Sequence, residues 1–155
     1  MKTLKYKRID IIRGIIIYPL GDSIAAILLN EFSWIRLLGM MLVGGLIYSY
    51  EIPKWFAYIS KYTGVKRTLM AILYFNPLWI ARHLIFIAIF SQKFSSINLG
   101  LFIIVLKSFT VNIPVAFAAN YIIQNKIQLK YRFLSSAIFS SLMAIYYALS
   151  TVIFK

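Results

Sequence analysis

Residues 11–30 read IIRGIIIYPLGDSIAAILLN, a stretch in which Arg13 and Asp22 carry the only charges. A helix needs about 20 mainly apolar residues to cross the hydrocarbon core of a bilayer, and this stretch has that length. Further apolar stretches follow at about 34–52, 69–90, 97–123 and 133–154. The pattern predicts an all-α polytopic membrane bundle of five transmembrane spans, occupying 1–155 as one domain. Four spans plus an interfacial or embedded helix is the alternative.

Composition points the same way. Of 155 residues, 61% are hydrophobic and the mean hydropathy is +0.81, against roughly 45–50% apolar residues in soluble domains. Cysteine is absent, which excludes disulfides, thiolate nucleophiles and cysteine-based metal sites.

The formal net charge is +13, from 17 Lys and Arg against four acids. Taken alone, that would suggest nucleic acid. The placement argues otherwise: Lys2, Lys5, Lys7, Arg8, Arg13, Lys54, Lys61, Lys66, Arg67, Lys126, Lys130 and Arg132 fall on one side of the predicted bundle. Arg36, Lys93 and Lys155 fall on the other, and Arg82 and Lys107 lie inside apolar stretches. Basic residues accumulate on the cytoplasmic side, so the N-terminus is expected inside and no nucleic-acid partner is expected. The first stretch is expected to be a retained span rather than a cleaved signal peptide, because Pro19 and Asp22 interrupt it and Ile24 onward stays apolar. The connector 53–68 mixes Lys54, Trp55, Phe56, Tyr58, Lys61, Tyr62 and Lys66, a headgroup-level composition. It is expected along the membrane surface as an aromatic belt.

Polar residues within the spans are costly in hydrocarbon and so tend to face the bundle interior. Asp22 shares a helical face with Gly14, Tyr18, Gly21, Ala25 and Leu29. Arg82 and His83 lie near the centre of the third span, and Asp22 is the expected counter-ion of Arg82. Asn76 and Pro77 predict a kink there. The fourth span aligns Ser108, Asn112, Ala116, Ala119 and Asn120, and the last aligns Ser136, Ser140, Ala144, Tyr147 and Thr151. Asp22, Arg82, His83, Asn112 and Asn120 are therefore the candidate pore lining or buried polar network. A purely structural role, in which small residues let helices approach and polar ones bond across the interface, is the competing account of the same residues.

Catalysis finds no support. One histidine and four scattered acids give no paired carboxylates, metal-ligand cluster or nucleophilic triad, and no phosphate-binding glycine loop occurs. No enzyme activity, cofactor or metal is expected.

Taken in order, several elements resemble the eukaryotic Mpv-seventeen and peroxisomal membrane protein two family along nearly the whole chain. Gly21-Asp22 resembles the Gly-Asp of its first helix. Arg36, Gly39, Val43-Gly44-Gly45, Tyr48 and Tyr50 resemble its Arg and Gly residues, its turn and its aromatic exit. Lys66 or Arg67 with Phe75, Asn76 and Pro77 is similar to its next segment. Asn112-Ile113-Pro114, Ala119-Asn120-Tyr121, Tyr131-Arg132 and Tyr147, Leu149 and Ser150 follow its later motifs in order and near spacing. Ala71-Ile72, Ile113 and Phe117 replace the polar or aromatic residues of that pattern. The resemblance implies a compact helical bundle forming a channel for small solutes. A shorter resemblance, at Arg132-Phe133-Leu134, is to a small family linked to polyprenyl-sugar translocation.

The functional expectation is a channel or facilitator for small hydrophilic solutes or ions, with a non-conducting scaffold or assembly factor, or a polyprenyl-sugar translocase-like protein, as alternatives. The expected partners are the lipid bilayer and small solutes or ions, with a homo-oligomer left open. An Ile- and Lys-rich, cysteine-free chain with no Arg- and Ser-rich transit peptide suggests a prokaryotic cell membrane over an organelle membrane.

Overall fold

A computed structural model of the protein describes residues 7–153. Lys2, Lys5 and Lys155 lie outside the described residues, as does the side chain of Thr151. The order is α1 (Arg8–Leu28), α2 (Trp34–Leu42), a π-helical segment (Val43–Tyr48), α3 (Ser49–Ile59), α4 (Gly64–Tyr74), α5 (Pro77–Phe90), a 3-10 turn (Phe94–Ser96), α6 (Leu99–Asn125) and α7 (Leu129–Ile153). Among the described residues the structure is helical, with no strand.

Among the described residues, four helical units are long and apolar enough to cross a membrane: Arg8–Leu28, Trp34–Ile59, Gly64–Phe90 and Leu99–Asn125. Their surfaces are inverted relative to a soluble protein. On α1, Asp10, Gly14, Tyr18, Gly21, Asp22 and Ala25 are buried, whereas Ile9, Ile12, Ile16, Leu20, Ile24 and Ile27 are exposed. On α6, Ser108, Asn112, Asn120 and Gln124 point inward, while Leu99, Ile103, Leu106, Val111 and Val115 face outward. A water-soluble monomer rarely exposes apolar surface that is so contiguous; hydrocarbon solvates it without cost. The chain thus has the build of an integral membrane protein.

Helix α1 lies at the centre, packed along α7 on one side and against α2, the π segment and α3 on the other. Close approach depends on glycine. A Cβ on Gly14 would run into the Gly44 backbone, and one on Gly44 into that of Gly14; a Cβ on Gly21 would meet Ser141 of α7. Between these contacts the core is aromatic: Tyr18, Val43, Tyr48, Ile52, Phe56 and Ile59 cluster with Ala71 of α4 and Phe133 and Ala137 of α7. A second cluster joins Ile80, Ala81 and Leu84 of α5 to Leu101 and Val105 of α6 and Tyr147 of α7.

Two sequence expectations need correction. Residues 53–59 are not a surface connector but the continuation of α3, and α4 has already begun at Gly64. The reason is periodic burial: Ile52, Phe56 and Ile59 follow helical spacing and are each no more than 1% exposed, so this aromatic segment has an interior to face. The third span is also two helices rather than one kinked helix. α4 ends at Tyr74 and α5 restarts at Pro77, with Asn76 as its N-cap. Proline suits the first helical position because its missing N–H has no intrahelical acceptor there.

Asn76 bridges the break from both sides. Its Oδ1 accepts from the Trp79 backbone N–H at 3.1 Å, and its Nδ2 donates to the Leu73 carbonyl at 2.9 Å. Asn76→Ala is expected to cost about 1 kcal/mol of stability, read as a lower thermal unfolding midpoint in detergent. An unchanged midpoint would mean that the break is held by packing alone.

Candidate functional site

The carboxylates find different partners from those the depth argument suggested. Asp22 does not pair with Arg82; it takes Arg36 in a two-pronged bond, Nε to Oδ2 at 2.8 Å and Nη2 to Oδ1 at 2.6 Å, with both side chains at most 3% exposed. Hairpin geometry explains this. The connector between α1 and α2 is short, so Arg36, in the first turn of α2, sits across from the end of α1 and reaches down it. Above this pair Glu31 lies 3.9 Å from Arg36 and 2.5 Å from Lys93.

Arg82 instead engages Glu51 of α3, with Nη1 to Oε1 at 3.1 Å and Nη2 to Oε2 at 2.7 Å. Tyr74 donates its hydroxyl to the same carboxylate at 2.8 Å, and the guanidinium carbon lies 5.6 Å from the Tyr48 ring centre. Both members of this pair are 35% exposed, so it borders the outer surface of the bundle. Bidentate pairing makes both arginines tolerable at these depths, since a guanidinium keeps its charge.

His83 is packed between aromatic rings. Its ring stacks on Trp79 at 5.7 Å and 6° and on Tyr48 at 6.0 Å and 30°, and Nδ1 lies 3.1 Å from the Tyr48 hydroxyl. Nε2 is buried without a hydrogen-bond partner.

Asn112 and Asn120 do come together, in a pocket enclosed by α4, α5, α6 and α7. Phe75, Trp79, Asn112, Asn120, Ser140 and Tyr147 are among its lining residues, and it leaves about 30 Å³ for an occupant. Asn112 Nδ2 donates to the Tyr147 hydroxyl at 3.2 Å and lies 3.0 Å from the Met143 sulfur. Asn120 Nδ2 bonds the Ala116 carbonyl at 2.9 Å. The Trp79 Nε1 donor is buried with no partner. The pocket is therefore mostly apolar with a few converging polar groups, the usual make-up of a small-molecule site. It abuts the break between α4 and α5, through Ile72, Phe75 and Trp79.

No family model, curated protein or solved structure matches this chain. Its function has to be argued from its own geometry.

Along the same α5–α6 seam, at the opposite end from the α6–α7 turn, lies a larger cleft of about 350 Å³. Glu31, Arg36, Lys93 and Asn98 stand among its lining residues, with Leu84, Ala88, Leu101 and Ile104 forming apolar walls. Helical steps of three and four along α6 lead from Leu101 and Ile104 of the cleft, through Ser108, to Asn112 of the pocket. The cluster of Ile80, Leu84, Leu101, Val105 and Tyr147 lies between the two.

Asp22, Arg82 and His83 thus do not line the pocket that holds Asn112 and Asn120; Trp79, which both lines that pocket and stacks on His83, connects the two groups. Among the described residues no three His, Asp or Glu side chains gather as a metal site. Sequence reasoning missed Arg36 as the partner of Asp22 and Trp79 as a lining residue. Hairpin arithmetic could have found the first. Nothing in the sequence marked the second.

Proposed function

We propose that this protein is a membrane facilitator for small polar solutes, with α7 as a fifth span, the N-terminus cytoplasmic and the solute path along the α5–α6 seam. The observation that carries the reading is the Asn112–Asn120 pocket beside an interrupted helix. Broken membrane helices at mid-depth are where transporters commonly place their sites, because the interruption frees backbone and permits local movement. The free space is small, about 30 Å³, enough for water, so a larger solute requires α4 and α5 to flex at Phe75–Pro77. In this reading the apolar cluster of Leu84, Leu101 and Val105 is the barrier between cleft and pocket. The Asp22–Arg36 and Glu51–Arg82 pairs hold the helices that frame the path. The resemblance to the Mpv-seventeen and peroxisomal membrane protein two family supports the same function, and a prokaryotic cell membrane is the setting that the composition favours.

The small pocket and the buried, fully paired Asp22 favour one other reading, a non-conducting scaffold. Flux of neutral and charged solutes of graded size, measured in liposomes with purified protein, separates them. Asn112→Leu keeps the number and branching of the side-chain heavy atoms and removes the polar group, and is expected to lower flux by about tenfold, since loss of a hydrogen bond to a buried site is worth about 1.4 kcal/mol or more. A tight bilayer around folded, inserted wild-type protein would establish the scaffold.

A further inference from the structure

At the end of the bundle where α6 turns into α7, two arginines converge without a carboxylate. Arg67 of α4 donates to the carbonyls of Tyr62 at 2.5 Å, Gln124 at 2.7 Å and Ser60 at 3.0 Å. Arg132 of α7 donates Nε to the Ile127 carbonyl at 3.0 Å. Arg67 thus ties the α3–α4 connector to the last turn of α6, and Arg132 binds the α6–α7 turn three residues further on, at Ile127. Among the described residues every side-chain carboxylate is engaged elsewhere: Asp10 with Arg13, Asp22 with Arg36, Glu31 with Lys93 and Glu51 with Arg82.

The polar groups beside them are unfinished. Arg132 is only 8% exposed, yet its Nη1 is buried without a partner. Gln124 is fully buried, and neither atom of its side-chain amide is bonded. Buried polar atoms in folded proteins are almost always satisfied, and two adjacent guanidiniums repel unless an anion lies between them. Capping of the ends of α3 and α6 accounts for Arg67, each of whose three nitrogens reaches a carbonyl. It leaves Arg132 Nη1 and Gln124 unexplained.

We propose that Arg67, Arg132 and Gln124 form a site for a single phosphate-class oxyanion at the α6–α7 turn. Arg132 Nη1 and Gln124 Nε2 supply two donors, and the Arg67 charge completes the field. Gln124 Oε1 accepts from a hydroxyl, either of a protonated phosphate or of a polyol headgroup. Such an anion is a phospholipid headgroup or a free phosphate, and the α6–α7 end lies where headgroups would be. The flanking Lys61, Lys66 and Lys130, each over a tyrosine ring, raise the local positive potential.

The test is a thermal-shift titration of the full-length protein in a neutral maltoside detergent with three probes: dioctanoyl phosphatidylglycerol, inorganic phosphate and dioctanoylglycerol, which lacks the phosphate. A saturable rise in the midpoint with the phospholipid alone assigns a headgroup, and a rise with inorganic phosphate assigns a free anion; dioctanoylglycerol leaves the midpoint unchanged. Gln124→Glu is nearly isosteric and places a carboxylate where the anion would sit. It should melt at or above wild type without ligand and bind the active probe at least about tenfold more weakly, because a charge-assisted donor is replaced by a like charge. Arg132→Lys, which keeps the charge and loses the second guanidinium nitrogen, should weaken binding several-fold and serves if Gln124→Glu does not fold. No saturation with either phosphate probe, an equal response to dioctanoylglycerol, or variants that titrate like wild type would overturn the proposal.

Discussion

Replacing Asp22 by asparagine is expected to destabilise the bundle by about 3–5 kcal/mol, the range seen when one member of a buried ion pair is removed. Asn cannot carry the counter-charge, so Arg36, at 3% side-chain exposure, would be left as a buried cation with Glu31 as its nearest acid at 3.9 Å. An isolated buried charge costs far more than a lost neutral hydrogen bond. A pore-lining role for Asp22 would predict altered selectivity with folding nearly intact, and a scaffold role would predict loss of folding; the Arg36 contact points to the second outcome. Denaturation in mixed detergent micelles reads the difference. The double replacement Asp22→Leu with Arg36→Met should recover most of the loss, since a buried pair and an apolar pair of similar volume are often close in stability. A single variant as stable as wild type would mean that Arg36 escapes to the interface, and the pair would lose its structural role.

The second large effect is expected at the crossing of α1 with the π segment. Alanine at Gly44 would push its methyl group into the Gly14 carbonyl, backbone against backbone, where no rotamer change relieves the clash. Overpacking of this kind costs about 1–3 kcal/mol, with the upper end expected because two central helices must separate. Gly45 is the internal control: its nearest obstruction is the Ile15 side chain, which can rotate, so Gly45→Ala should be milder. Midpoints ranked in that order would establish the close crossing. Equal midpoints would show that the two helices can slide apart freely.

The helical character, the positions of most spans and the inward stripes on α1, α6 and α7 were legible in the sequence because hydrocarbon imposes a simple rule on both length and facing. Gly14, Tyr18, Asp22, Ser108, Asn112 and Asn120 are all buried, and helical spacing places each of them on an inward face. Pairing was less legible. Depth along a helix places Asp22 and Arg82 at similar levels, but it does not say which helix stands beside which, and a long arginine side chain can reach a turn away from its own Cα. Arg36 was read as a charge near a span end when it is instead drawn inward. The surface connector failed for a related reason: Trp55 and Phe56 have the composition of a headgroup belt, and only the neighbouring Ala71 and Phe133 turn that composition into core. The Asn76–Pro77 break was half legible, since proline announces a disturbance without saying whether the helix bends or restarts.

The π-helical turn at Val43–Tyr48 has a consequence for how this chain can change. A π turn amounts to one residue inserted into an α-helix, and one residue corresponds to about 100° of rotation about the axis. It therefore acts as a phase shift between two halves of one span. The upstream half is set so that Arg36 meets α1, and the downstream half so that Glu51 meets α5. Loss of one residue anywhere in 43–48 would preserve the hydropathy of the span almost unchanged while turning Glu51 away from Arg82. Descent with a fixed spacing between those two positions is thus a tighter constraint on this helix than apolar composition, and it is one that hydropathy profiles do not register.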